Sequence, residues 1–348
     1  MNHSISPAQE SIPPEEPQAI EEAVVLLTEM VRRLTAKSGR ARRDAHAKSH
    51  GCVRGRFIID GELEEPFRRG VFHPGTEYPC WIRYSNGNEL IRRDSTGDGR
   101  GMAIKLCGVP GRKLMDDEKK TQDFLLINHP NFFFETAAEF VAFQRVNSMG
   151  RPHLFLFPTL NPKTWRLREL RVIAAITSKR ITNPFALQYW SMTPYLYGEG
   201  MAAKFSVRPS HSFREFSGNR ASPDFLREVM KGQLAQGEVE LEFLVQRQTD
   251  PASMPIEDPI QEWLPSQSPF VKVATIYIPT QDFISVAQDK FSENLSFSPW
   301  HGLFEHRPLG GINRVRKVVY EVISKLRHEL NNEERFEPDG METFTCGD

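Results

Sequence analysis

The most diagnostic stretch of the sequence covers residues 297–320 and reads FSPWHGLFEHRPLGGINRVRKVVY. Its last part predicts a helix from Asn313 to Leu330, with Asn313 as the N-cap residue. Arg316 and Tyr320 are four residues apart and Arg327 lies seven further on, so all three side chains share one helix face. A neighbouring guanidinium stabilises a phenolate by charge and hydrogen bonding. Taken alone, the Arg-x-x-x-Tyr pattern also fits a half-buried tyrosine beside a surface arginine.

Three earlier segments carry polar groups that suit proton transfer. The segment RDAHAK contains His46, whose neutral imidazole can move a proton between two oxygen atoms. The segment LINHP contains Asn128, whose amide can donate a hydrogen bond without titrating. In the segment IRYS, the two-residue spacing puts Arg83 and Ser85 on the same side of a strand. Each pattern by itself also fits an ordinary surface or turn residue.

Taken together and in this order, the segments resemble the motifs of the haem-dependent catalase family. The loop STGDGRG and the strand-like MAIKL after it, residues 95–106, are similar to that family as well. The resemblance spans roughly residues 40–330 and is nearest to the short bacterial branch of catalase-related peroxidases, which is related to allene oxide synthase. It implies an α+β fold, in which an antiparallel β-barrel with surrounding helices encloses haem b.

The resemblance also implies roles for individual residues. Tyr320 is expected to be the axial ligand of the haem iron, with Arg316 tempering its phenolate. His46 and Asn128 are expected to act on the peroxide from the opposite side, with Ser85 orienting His46. The residues expected to hold the haem itself are Phe133, which packs over its face, and the propionate partners Arg43, Arg83 and Arg327.

The chain departs from its relatives at several points. Larger catalases follow the tyrosine with Ser, Asp and Thr types, whereas Glu321-Val322-Ile323 follows here, so the surroundings of the tyrosine are not carried over. Allene oxide synthases typically carry Thr before the distal His, and this chain has Ala45. The chain is also shorter than large catalases, and we expect no bound NADPH.

The leading hypothesis is haem-dependent breakdown of hydrogen peroxide, of organic hydroperoxides, or of both, by a catalase or peroxidase that can use an organic electron donor. Rearrangement of fatty-acid hydroperoxides, as in allene oxide synthase, stays open, and Ala45 weighs mildly against it. A non-catalytic haem-binding protein is the third alternative. The pair of His46 and Asn128 argues against it, because binding alone needs no polar distal pair. The oligomeric state is open, with a homo-oligomer as one option.

The composition narrows the class of protein. The chain has 348 residues, 39% hydrophobic and 26% charged, which is typical of a globular protein. The net charge of −1 gives no basic footprint for nucleic acid. No apolar run approaches the roughly 20 residues that a membrane span needs. The N-terminus lacks the apolar core of a secretory signal, so a cytoplasmic location is predicted.

One domain is predicted over residues 18–335. A disordered segment rich in Pro and Glu, 1–17, precedes it, and a flexible tail, 336–348, follows it. Short apolar runs between polar turns predict strands, and apolar residues at helical spacing predict helices. The predicted strands are Cys52–Ile59, Tyr78–Ser85, Gly101–Leu106, Phe124–Asn128, Ala203–Val207, Val239–Gln246 and Val271–Tyr277, and the predicted helices are Ala19–Ala36, Thr136–Val146, Trp165–Thr177, Pro223–Leu234 and Asn313–Leu330.

Overall fold

The computed structural model describes residues 8–213 and 218–344. Its strands begin where short apolar runs follow Gly, Asn or Asp turns, as the sequence predicts. The strands are β1 (Ser49–Ile59), β2 (Glu77–Asn86), β3 (Arg100–Leu106), β4 (Gln122–Ile127), β5 (Tyr189–Trp190), β6 (Tyr195–Leu196), β7 (Ala202–Pro209), β8 (Val239–Arg247) and β9 (Val271–Ile278).

Eight of the described strands form a closed antiparallel barrel. They follow the order β5-β4-β3-β2-β1-β9-β8-β7, and the pairing of β5 with β7 closes the ring at Trp190 and Ser206. The short β6 adds to β7 through Tyr195 and Ala203. Closure leaves the barrel no free edge that could pair with another chain. The predicted antiparallel barrel is therefore confirmed.

Side chains fill the interior of the barrel. In β1, Val53 and Phe57 are fully buried, while Arg54 and Arg56 between and beside them are exposed, as the two-residue period of a strand requires. The ring centroids of Phe124 and Phe243 are 4.8 Å apart, and Phe57 lies 5.0 Å from Phe243. Each fully buried Phe contributes about 1.5–3 kcal/mol to folding. Because the interior is packed, a large ligand must bind outside the barrel.

Helices cover the barrel. The α-helices of the described chain are α1 (Glu16–Ser38), α2 (Ala137–Ser148), α3 (His153–Leu156), α4 (Leu167–Thr177), α5 (Phe225–Gln236), α6 (Val286–Asn294) and α7 (Gly311–Asn331), with 3-10 turns at Glu65–Phe67, Pro162–Thr164, Pro184–Ala186 and Phe304–His306. The apolar stripe of α1, including Leu27 and Met30, packs on Val315 and Val319 of α7 and on α2. Within the described ranges, none of the helices combines the length and the apolar character that crossing a bilayer requires.

The start of α7 differs from the sequence prediction. The N-cap residue is Gly310, whose φ of 87° is strained for any residue with a side chain. A Cβ built on Gly310 would also lie 2.6 Å from the carbonyl oxygen of Ile256. The chain therefore enters the helix here, three residues before the predicted cap. Asn313 instead lies inside the helix, where its side chain donates to the carbonyls of Pro194 and Leu309 at 3.0 and 2.9 Å.

The two terminal segments lie partly outside the described residues. Residues 1–7 of the predicted disordered segment 1–17 and residues 345–348 of the predicted tail 336–348 are outside. In the remaining part of the first segment, Glu10 pairs with Arg307 and Arg314 at 2.6 and 2.7 Å. In the remaining tail, the Glu342 carboxylate accepts a hydrogen bond from the indole of Trp81 at 2.8 Å. The division of the chain into a domain and two flexible ends stays a prediction.

Candidate functional site

Two adjoining cavities lie between the outer face of the barrel and α7. Ile82 and Tyr84 of β2 belong to the barrel core, so the alternating residues Arg83 and Ser85 face outward. The cavities measure about 90 Å³ and about 310 Å³. Both are lined by Asp44, Ala45, His46, Ile127, Met192, Arg316 and Tyr320. The fold thus brings the predicted histidine and the predicted tyrosine to one space.

His46 lies on the cavity wall in the loop before β1. Its Nδ1 atom is 3.1 Å from Oγ of Ser85, and its backbone N–H donates to the carbonyl of Gly87 at 3.0 Å. The residue has a left-handed φ of 57°, which costs a non-glycine residue about 1–2 kcal/mol. Burial, together with the charges of Arg83 and Arg316, lowers the pKa of His46 to about 4. The ring is therefore neutral near pH 7 and can accept a proton.

Three neighbouring strands place a row of residues beneath His46. Ser85 of β2 pairs with Gly101 of β3, and Gly101 pairs with Ile127 of β4, so all three positions lie on one face of the sheet. A Cβ built on Gly101 would lie 2.5 Å from Nδ1 of His46 and 2.9 Å from Oγ of Ser85. Only glycine at this position leaves room for the contact between imidazole and hydroxyl. The sequence gives no signal for this role of Gly101, because the role depends on how β2, β3 and β4 pair with one another.

We expect Gly101→Ala to displace the His46 ring and lengthen its contact with Ser85. A displacement of about 1 Å in a catalytic group can cost roughly 100-fold in rate, so any turnover in which His46 takes part should fall by about 10–100-fold while the protein stays folded. Steady-state kinetics and thermal melting of the purified variant measure both quantities. Gly61→Ala is the matched control, since a Cβ there meets nothing within 4 Å. Unchanged turnover in Gly101→Ala would contradict this role.

Asn128, expected to act on the peroxide, does not line either cavity. Its Oδ1 atom accepts a hydrogen bond from the backbone N–H of Arg100 at 2.8 Å, and its buried Nδ2 atom has no partner. Strand β4 ends at Ile127, which lines both cavities, while Leu125 and Leu126 line the smaller one. The expected action of Asn128 on the peroxide stays a prediction, and the described wall at this point consists of aliphatic side chains.

Tyr320 lines both cavities from α7 and lies beside a buried cation. Nη2 of Arg316 donates to the Tyr320 hydroxyl at 3.4 Å. The guanidinium is held by Oδ1 of Asn313 at 3.2 Å and by Oγ1 of Thr193 at 3.4 Å. Burial opposes the charge of Arg316, but Tyr320 and Tyr195 outweigh it and raise the pKa of Arg316. The guanidinium thus holds a buried positive charge directly beside the Tyr320 hydroxyl. The predicted helix-face pair is thus present.

Three arginines from distant segments converge on the smaller cavity. Arg43 and Arg83 pair with the carboxylate of Glu293 at 3.3 and 3.2 Å, and Arg327 donates to the carbonyls of Glu293 and Leu295. Burial opposes the charge of Glu293, but the three arginines lower its pKa to about 2. One carboxylate against three guanidinium groups leaves two positive charges in excess, and the buried Nε of Arg83 has no hydrogen-bond partner. The cluster can therefore receive two further carboxylates.

The larger cavity has an aromatic wall. The ring of Phe133 stacks on Phe132 at 4.8 Å and meets Phe134 edge-on at 4.4 Å. The apolar side chains on this wall are Met30, Ile127, Phe132, Phe133, Phe134, Phe140, Phe143, Ile173, Ile176, Met192, Ile312, Val315 and Val319. Such a surface suits a flat apolar group, which loses water on both faces when it binds.

Two further residues that line the cavities, Asp44 and Met192, are candidates for a functional role because of a shifted pKa and a strained backbone, respectively. Asp44 lies two residues before His46, and burial raises the pKa of its carboxyl to about 6. A carboxyl whose pKa is raised within a cavity can exchange protons near neutral pH. Met192 has a left-handed φ of 61°, and strained non-glycine residues cluster at functional sites. The sequence carries no signal for either role.

A buried cluster of charges lies apart from the cavities. Glu118, Asp123 and His301 are close enough together to share an ion. The ammonium of Lys105 lies among them, however, with its Nζ 2.8 Å from Asp123 and also paired with Glu118. Lys105 supplies the compensating charge, and the cluster accordingly joins β3, β4 and the segment before α7.

The comparisons with known proteins agree with this architecture. The sequence matches no protein-family model, and it has no match among curated proteins. The fold matches a fungal catalase with a TM-score of 0.63 and 16% identity, over 86% of this chain and 62% of that chain. It matches catalase A from Saccharomyces cerevisiae with a TM-score of 0.60 and 15% identity, over 98% of this chain and 73% of that chain.

A bacterial catalase matches with a TM-score of 0.59 and 14% identity, over 99% of this chain and 70% of that chain. This chain spans less than two thirds of the fungal catalase. Identities of 14–16% carry a likeness of fold alone. With its eight-stranded antiparallel barrel and surrounding helices, the chain has a catalase-like fold.

Proposed function

We propose that this protein binds haem b in the two adjoining cavities and uses it to consume peroxides, with organic hydroperoxides as the preferred substrates. The proposal rests on the set of residues that line the two cavities. Tyr320 beside Arg316, and His46 beside Ser85, line the same cavities. A cluster of three arginines lies at the end of the smaller cavity.

The residues present fit a haem group. Its two propionates would supply the two negative charges that balance Arg43, Arg83 and Arg327 after Glu293 is counted. The aromatic wall suits the flat macrocycle. The phenol of Tyr320 is the type of iron ligand that catalases use, and the Arg316 guanidinium lies beside its hydroxyl.

Arg83→Leu should lower haem occupancy before it alters the chemistry of the remaining haem-loaded protein. The removal of one partner from a buried charge group costs about 3–5 kcal/mol when the remaining charge stays uncompensated. Haem-to-protein ratios after reconstitution measure the effect. Arg56→Leu is the control, since Arg56 is an exposed barrel arginine paired with Glu77. Normal haem occupancy in Arg83→Leu would remove that residue from the propionate site.

Haem bound there would supply the redox chemistry, and residues of the chain would transfer the proton. When Nδ1–H of His46 donates to Ser85, the Nε2 atom is left as an acceptor. The neutral ring can take the proton from the hydroperoxide and return it to the leaving oxygen. Asp44 on the same wall, with its raised pKa, can exchange that proton near neutral pH. Gly101 leaves the space in which the His46 ring keeps its contact with Ser85.

The polarity of the cavity supports organic hydroperoxides as substrates. Hydrogen peroxide needs polar partners for both of its oxygens, and the residues of β4 that line the cavities, Leu125, Leu126 and Ile127, are all aliphatic. The larger cavity of about 310 Å³ continues from His46 into the aromatic wall. An alkyl substituent of a hydroperoxide gains hydrophobic contact there.

We therefore expect Ile127→Asn to shift the substrate preference. A new amide donor near the peroxide is worth about 1 kcal/mol, or roughly fivefold in rate, so kcat/KM should rise for hydrogen peroxide and fall for cumene hydroperoxide. Steady-state kinetics with each oxidant give the ratio of the two values. Ile127→Val is the control, because it changes volume without adding a donor. An unchanged ratio in Ile127→Asn would show that this wall does not select the substrate.

One experiment separates the possible activities. The haem-loaded protein is mixed with a fatty-acid hydroperoxide and a phenolic electron donor, and products are identified. An alcohol formed with stoichiometric oxidation of the donor supports the proposal. A rearranged epoxide formed without donor consumption would instead indicate an activity like that of allene oxide synthase. A protein that binds haem but consumes no peroxide would be a non-catalytic haem binder.

A further inference from the structure

A basic and apolar segment stands out on the surface between α2 and the end of α4. Residues 149–180 contain seven Lys or Arg residues and one acidic residue, Glu169, which is buried, in a chain whose net charge is −1. The same segment holds four large apolar side chains that are exposed: Met149 at 69%, Leu160 at 100%, Trp165 at 38% and Leu167 at 48%. An exposed apolar group surrounded by charge of one sign marks an interaction surface.

The loop that carries Leu160 is closed by its own contacts. The indole N–H of Trp165 donates to the carbonyl of Thr159 at 3.0 Å, and the hydroxyls of Thr159 and Thr164 are 2.7 Å apart. The rings of Phe157 and Trp165 meet edge-on at 5.3 Å. These contacts hold Leu160 at the tip of the loop, fully in solvent. A preformed apolar tip in water costs free energy that only an apolar partner recovers.

Several of the positive charges in this segment are not neutralised within the chain. Arg166 pairs with Glu139, and Arg168 pairs with Glu135 and Asp258. The described residues provide no carboxylate partner for the other exposed cations of the segment that flank the loop and α4. These cations are Arg151, Lys163, Arg171, Arg180 and Lys179, the last of which donates to the carbonyl of Asn128. Their combined charge favours an anionic partner.

The segment also lies against the larger cavity. The ring of Phe155 is 5.3 Å from Phe134 and 5.6 Å from Phe143 on the cavity wall. Ile173 and Ile176 of α4 line the cavity directly. The segment therefore packs directly against the wall of the larger cavity and contributes part of that wall.

We propose that residues 149–171 dock this protein on the surface of an anionic phospholipid bilayer. Leu160 enters the boundary between headgroups and acyl chains, with Trp165 at headgroup level, and Lys163 with Arg171 meets the lipid phosphates. A second copy of the chain fits less well, because a two-fold contact would bring two basic surfaces together. If the proposed function holds, docking here brings acyl-chain hydroperoxides to the larger cavity.

Vesicle co-sedimentation tests the docking. Wild-type protein should bind vesicles made of equal parts of phosphatidylcholine and phosphatidylglycerol, and should bind pure phosphatidylcholine much more weakly. Leu160→Ser should weaken binding by at least about tenfold, and Lys163→Glu by about tenfold or more. The controls are Val286→Ser, which changes an apolar side chain that is 79% exposed elsewhere, and Lys119→Glu, which reverses an exposed surface charge; both should bind like wild type.

Three outcomes would overturn the proposal. The first is equal or absent binding to both kinds of vesicle, and the second is undiminished binding by Leu160→Ser. The third is self-association of the wild type that Leu160→Ser abolishes in sedimentation velocity, with no binding to vesicles, since this would assign the surface to a second copy. Leu160 has no packing role at full exposure, so the Leu160→Ser variant should fold normally.

The experiments distinguish a failure of the docking proposal from a failure of the proposed function. Turnover of cumene hydroperoxide in free solution and haem content should be the same in Leu160→Ser and in wild type. If wild type binds anionic vesicles but neither binds haem nor consumes hydroperoxide, the proposed function fails and the docking surface stands. If the hydroperoxide is consumed but vesicles are not bound, the docking proposal fails alone.

Discussion

Tyr320→Phe should lose the iron ligand and most of the bound haem. The substitution removes the one oxygen that Arg316 contacts on this ring, at 3.4 Å, and leaves the packing of α7 in place. The loss of a partner outside the first coordination shell already costs about 10–100-fold in metal affinity, so the loss of the ligand itself should exceed that. Absorption spectra and the haem-to-protein ratio after reconstitution measure the effect.

The control is Tyr277→Phe, which makes the same change on the barrel strand β9, away from the cavities. It should bind haem with the spectrum of the wild type. A Tyr320→Phe protein with the spectrum and haem content of the wild type would contradict the assignment of Tyr320 as the ligand. It would leave open only a haem held by the arginine cluster and the aromatic wall.

His46→Ala should slow peroxide cleavage by about 10²–10⁴-fold while the haem stays bound. His46 is the imidazole on the walls of both cavities, and in the proposed site the arginine cluster would hold the propionates independently of it. Stopped-flow mixing with cumene hydroperoxide measures the rate, and the haem content is determined on the same sample. His73→Ala, which removes an exposed histidine, should leave the rate unchanged.

The pH profile gives this prediction a second readout. The pKa of His46 is lowered to about 4, chiefly by burial, so the base form is populated above that pH and the rate of the wild type should fall as the pH drops through about 4. In His46→Ala this acid limb should vanish, since the titrating base is gone. Near-normal turnover in the variant, or an unchanged acid limb, would exclude His46 as the proton carrier.

Local pattern was sufficient for most of the barrel and for the helix that carries the tyrosine. The predicted strand Tyr78–Ser85 is β2, Glu77–Asn86, in the structure, and the predicted helix Asn313–Leu330 is α7, Gly311–Asn331. Alternation of apolar residues between polar turns is a local signal, and so is helical periodicity. Strands β5 and β6 have two residues each, which is too short for a period. Only their pairing with neighbouring strands defines them: β5 pairs with β4 and β7, and β6 pairs with β7.

The residue types of the site were also readable from motifs, but their positions on the wall were not. At the end of β4 a shift of one residue exchanges the two faces, so the amide of Asn128 bonds to the backbone of Arg100 and Ile127 lines the cavity. Glu293 lies far along the chain from Arg43 and Arg83. Nothing in the spacing of these three residues predicts that its carboxylate pairs with both guanidinium groups.

The local sequence therefore determines which chemical groups are present, and the tertiary structure determines which of them come into contact. The imidazole of His46 and the phenol of Tyr320 can be identified from the sequence alone. Side-chain chemistry and short-range periodicity depend only on the residues of one segment. The register of β2, β3 and β4 decides which groups meet: it puts Gly101 under the imidazole and turns Ile127 to the cavity. Register depends on pairing between distant residues and on closure of the barrel, so the polarity of the cavity and the charge balance around Glu293 arise only in the folded chain.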